Sequence, residues 1–135
     1  MLQFYFLSIV LNALAGIILL GKDDKIGLEF KSNFTLKDET FRLIVGILSV
    51  ITGLLKILSV VEGDIPVIGD LVPALMGFLA GFVLIFDHYR NRPATEEADQ
   101  SEKIEKILTG NRRLIGIAAL IAAALHFLFP KVLLL

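Results

Sequence analysis

A chain of 135 residues has room for one domain, read over 1–135, and 56% of its residues are hydrophobic against 20% charged, above the apolar share of soluble domains. The apolar residues gather in four blocks near the roughly twenty residues a helix needs to cross a bilayer, which excludes an ordinary soluble fold. With no cysteine there is no disulfide framework, thiolate nucleophile or cysteine-bearing metal site, and a net charge of −1 offers no basic excess for nucleic acid.

The first block, 1–21, carries no charged side chain and at about 1.5 Å per helical residue covers roughly 30 Å. Ala13-Leu14-Ala15 has the form of a signal-peptidase site, but no basic residue precedes the apolar run, so the reading is an uncleaved first span. Asn12 is its one strongly polar side chain near the midplane. In the connection 22–42, Ile26, Leu28 and Phe30 alternate with Gly27, Glu29 and Lys31, and Phe34-Thr35-Leu36 follows. Period two predicts a short β-hairpin, its apolar face on the headgroup region or on the end of the bundle.

The second block, 43–61, is interrupted only by Lys56, and Gly46, Ser49, Gly53 and Lys56 recur at steps of three and four residues along one face. The turn that follows holds Glu62 and Asp64, and the third block, 65–86, contains Asp70. Asp64 with Pro66, or Asp70 with Pro73, offers a helix start in which the missing proline N–H costs nothing. The first choice keeps Asp70 inside the span. Gly77 and Gly81 give this span a small-residue packing face.

The connection 87–113 opens with Asp87-His88, read as a solvated pair at the membrane mouth, and breaks at Pro93. A short polar helix is predicted from Thr95 to about Leu108, with Glu96, Glu97 and Asp99 early and Lys103 and Lys106 late, matching the helix dipole. The fourth block, 114–130, places Gly116, Ala119 and Ala123 on one face and holds His126 as its one ionisable residue.

Orientation follows from the basic residues. Lys22, Lys25, Lys31, Lys37 and Arg42 flank the first connection; Arg90, Arg92, Lys103, Lys106, Arg112 and Arg113 flank the third. The positive-inside rule makes the loops 22–42 and 87–113 cytoplasmic and both termini periplasmic or extracellular. In that topology Lys56, Asp70 and His126 share a layer roughly 6 to 9 Å below the outer hydrocarbon edge, with the acids Glu62 and Asp64 above them at the outer mouth. Lys56 and Asp70 can form a neutralised pair hydrogen-bonded to His126. Such a cluster is read either as a clasp between helices or as a site for an ion, a proton or an anionic headgroup.

Catalytic signatures are missing: no GxxxxGK, GxSxG or HExxH occurs, and Gly69-Asp70 falls short of GxGD because position 67 is Val. The expectation is an all-α integral membrane bundle of four transmembrane helices, with a short cytoplasmic hairpin after the first and a short cytoplasmic helix after the third. It has no enzymatic activity, cofactor, metal or nucleic acid. It works as an accessory, structural or assembly subunit through its cytoplasmic loops, in the lipid bilayer, as a homo-oligomer or within a larger membrane complex. The alternative is a small oligomeric channel or transporter that uses the outer polar layer.

Overall fold

Five helices occupy the computed structural model over the residues it describes, 2–21, 38–58, 71–90 and 101–129: α1 (Leu2–Gly21), α2 (Glu39–Leu58), α3 (Leu71–Arg90), α4 (Ser101–Gly110) and α5 (Arg112–Leu128). Among the described residues there is no strand. The hairpin expected near 26–36, the turn acids Glu62 and Asp64, and Asp70 lie outside those residues. So does the start of the polar helix expected from Thr95, whose later part is α4.

Local chemistry explains where the helices begin. The Asp38 carboxylate accepts the Thr40 N–H at 3.1 Å, and Glu39 in the first turn complements the positive end of the dipole. α2 therefore starts at Glu39 and takes Arg42 into its first turn, rather than leaving it in the preceding connection. In α5 the last intrahelical carbonyls need other donors, and the Tyr5 hydroxyl supplies one, donating to the His126 carbonyl at 2.6 Å.

α2 packs chiefly on α3 and α1 on α5, while α1 and α3 meet along the short diagonal; α2 and α5 face each other along the long one. The core is built from Ala15, Ile18, Leu19, Val45, Ala80, Val83, Leu84 and Ala119, with Leu108 of α4 packed partly against it. Two glycine pairs set the helix spacing. A Cβ built on Gly81 would lie 2.6 Å from the Gly46 carbonyl oxygen, and one on Gly16 2.8 Å from that of Gly116. Backbones this close are the packing mode of helices in lipid, where small residues replace the hydrophobic drive between helices.

The surface inverts the soluble pattern. Buried positions include Arg42, Lys56, Asp87 and His126, whereas Phe6, Val10, Ile44, Ile51, Leu54, Phe82, Ile121 and Phe127 are exposed. α1, α2 and α3 are each long and apolar enough to cross a membrane. α5 is apolar over 17 residues, about 25 Å of helix.

Candidate functional site

Polar side chains that a soluble helix would turn outward point here into the bundle, at three levels. At one end, the Lys56 Nζ lies 2.7 Å from the His126 Nε2, bridging the long diagonal between α2 and α5. An ammonium can only donate, so the tautomer that pairs with it carries its ring hydrogen on Nδ1 and accepts at Nε2. Tyr5 of α1 closes this end. Its ring stands 4.6 Å from the imidazole and 5.9 Å from the Lys56 Nζ, a cation–π distance, while its hydroxyl holds the His126 carbonyl. His126 is wholly buried and Lys56 nearly so.

Near the middle, the Asn12 amide of α1 donates to the Pro73 carbonyl of α3 at 2.9 Å. Its other face lies against Gly77, where a Cβ would come within 2.8 Å of the Asn12 Oδ1. Glycine at 77 is thus what lets an asparagine sit between α1 and α3. Ser49 of α2 is buried beside this contact, its Oγ without a hydrogen-bond partner among the described residues.

The opposite end holds the strongest electrostatics. Asp87, in the last turn of α3 and 4% exposed, accepts from the Arg42 Nη2 at 3.0 Å and from the Arg112 Nη1 at 3.2 Å, and Arg112 Nη2 also meets the Asp87 Oδ2. One carboxylate therefore ties α2, α3 and α5 together. The reading of Asp87-His88 as a solvated pair is corrected: α3 continues to Arg90, which turns Asp87 inward where two guanidinium groups meet it. Fourteen residues separate Arg42 from Lys56, so the two charged ends stand about 21 Å apart along α2.

Of the residues singled out from sequence, the fold brings together Lys56 and His126, buries Asn12, and places Gly46, Ser49, Gly53, Gly77, Gly81 and Gly116 at helix contacts. Asp70, Glu62 and Asp64 lie outside the described residues, so their relation to Lys56 is not part of this geometry. Sequence reasoning missed Tyr5, Arg42, Asp87 and Arg112. A signal for the last three was present: each continues a small-residue stripe. Arg42 lies one turn before Gly46, Arg112 one turn before Gly116, and Asp87 follows Gly77, Ala80 and Leu84 on the buried face of α3. Among the described residues, no three His, Asp or Glu side chains gather as metal ligands would.

A family model matches residues 1–126. An "uncharacterized protein" of Treponema pallidum (strain Nichols) is 33% identical over 135 residues, covering the whole of both chains. No solved structure matches.

Proposed function

This chain and the treponemal protein belong to one family, and from the geometry of its helices we propose that the chain is an integral membrane protein in which α5 is a fourth crossing helix. It works as a non-catalytic accessory or assembly subunit, with α4 and the basic connections 22–42 and 87–113 on the cytoplasmic side and both termini outside. The observation that carries this reading is the inversion of the surface: charged groups are paired between helices inside, and large apolar side chains point outward. In hydrocarbon that arrangement pairs the inward-turned side chains Arg42, Asp87, Arg112, Lys56 and His126 with one another and leaves the bilayer mainly apolar side chains. In water the same exposed leucines, isoleucines and phenylalanines would be an aggregation surface.

The clasp reading of the polar groups is favoured over a conduction path by how tightly α2 and α3 meet. A Cβ on Gly53 would fall 2.7 Å from the Ala74 carbonyl oxygen, so the two helix backbones are in close contact at the level next to Lys56. Two measurements test the proposal. The native chain has no cysteine, so Gln3→Cys and Lys103→Cys, both at exposed positions, give clean single labels. A membrane-impermeant maleimide should label Gln3→Cys on intact cells and Lys103→Cys only after permeabilisation; the reverse pattern, or equal labelling, refutes the topology. Purified protein in liposomes should pass neither protons nor monovalent ions above the lipid background. A flux abolished by Lys56→Met would replace the subunit reading with the transport one.

A further inference from the structure

We propose that the Arg42–Asp87–Arg112 centre binds a phosphate-class anion, met in the membrane as the headgroup of an anionic phospholipid; the proposal rests on the four-helix membrane reading. The charge count is the first reason. Two guanidinium groups share one carboxylate, leaving one excess positive charge among side chains that are 11%, 15% and 4% exposed. A clasp needs only one arginine per aspartate, and an uncompensated buried charge is strongly unfavourable.

Donor count points the same way. Two guanidinium groups carry ten N–H bonds, and the Nε of each is buried without a hydrogen-bond partner among the described residues. Arg42 stands in the first turn of α2 and Arg112 is the first residue of α5, so the positive ends of two helix dipoles meet here and outnumber the negative end of α3, which carries Asp87. The acids at the start of α2 offset this only in part: Asp38 and Glu39 are exposed, and the Asp38 carboxylate is engaged by the Thr40 N–H.

Position selects the ligand. The centre lies about 21 Å along α2 from Lys56, so a hydrocarbon layer of roughly 30 Å brings both charged ends close to its two edges. At the cytoplasmic edge the groups at that depth are phosphodiesters of a negatively charged leaflet. Guanidinium binds such oxygens in a planar, bidentate fork. The uncovered part of Arg42 and Arg112 is where a phosphate oxygen enters.

The test compares the full-length wild type with Arg112→Gln, Asp87→Asn and the surface control Arg113→Gln by thermal unfolding in a neutral detergent. Each is titrated with phosphatidylglycerol, phosphatidylcholine or inorganic phosphate. Phosphatidylglycerol should raise the wild-type melting temperature well beyond any effect of phosphatidylcholine, whose choline cation offsets the charge of the same phosphodiester. Arg112→Gln, which balances the buried charge, should weaken the apparent affinity about tenfold or more, the order of losing a charge-assisted hydrogen bond. Asp87→Asn should retain or strengthen the response, and Arg113→Gln should leave it unchanged. A purely structural clasp predicts instead that Asp87→Asn and Arg112→Gln behave alike. Stabilisation by inorganic phosphate as well identifies free phosphate as sufficient; stabilisation by phosphatidylglycerol alone identifies the lipid. Either supports the site, whereas equal effects of the two lipids, or none, overturn it. Should the variants fail to fold, the wild-type contrast between the lipids still decides. Because topology is read separately by cysteine labelling, failure of one reading does not mimic failure of the other.

Discussion

Replacing Gly81 by alanine is the sharpest test of how this bundle is held. The added methyl would lie 2.6 Å from the Gly46 carbonyl oxygen, 2.9 Å from the Val50 Cγ2 and 3.0 Å from the Ser49 Cβ. Ordinary contact begins at 3.4 Å, so α2 and α3 must separate by about 0.8 Å at this crossing. A gap of that order forfeits about a quarter to a half of the dispersion energy along the seam, and overpacking of this kind costs about 1–3 kcal/mol. The same movement stretches the Arg42–Asp87 bond, 3.0 Å long and between the same two helices. Gly46→Ala, whose closest approach is 3.0 Å, should cost less. Gly110→Ala is the control: nothing lies within 4 Å, and alanine is the better helix former by up to about 1 kcal/mol. Unfolding in detergent, followed by circular dichroism, should rank the three as Gly81→Ala least stable, then Gly46→Ala, with Gly110→Ala at or above wild type. If Gly81→Ala melts with Gly110→Ala, the close α2–α3 crossing does not support the fold.

Asn12→Leu removes the donor to the Pro73 carbonyl and puts a branched side chain against Gly77, so it should lower stability by more than Asn12→Ala. The alanine variant should lose about 0.6 kcal/mol and no more than about 1.7, the mean and the maximum for hydrogen bonds between membrane helices, read as a shift in the same melting curves. Lys56→Met, His126→Phe and the double variant form a cycle across the long diagonal. A coupling energy of about 0.5–3 kcal/mol in liposome-reconstituted protein is expected from their 2.7 Å contact, and additive effects would show that the two groups act independently.

Composition and block length by themselves determine that this chain forms long apolar helices, because only a helix closes its own backbone hydrogen bonds across hydrocarbon. The small-residue stripes through Gly46, Ser49 and Gly53, and through Gly77 and Gly81, were likewise legible, since spacings of three and four place residues on one face whatever the tertiary fold. Depth along antiparallel spans likewise puts Lys56, Asp70 and His126 in one layer, with Asp70 as the expected partner of Lys56. Depth alone cannot say which azimuth a residue faces, and there the tertiary structure decides. Arg42 and Arg112 count for orientation as ordinary loop-flanking charges, and Asp87 beside His88 reads as a solvated pair. Only the extension of α2 and α3 past the apolar runs, and the antiparallel register that sets 42 against 87 and 112, turns them inward together. Tyr5 is the same case at the other end: an aromatic near a membrane edge in sequence becomes a donor to the α5 terminus only once α1 lies along α5. Sequence thus specifies period and depth, which are local properties of the chain, while the pairing of charges depends on which faces the packed helices present to one another.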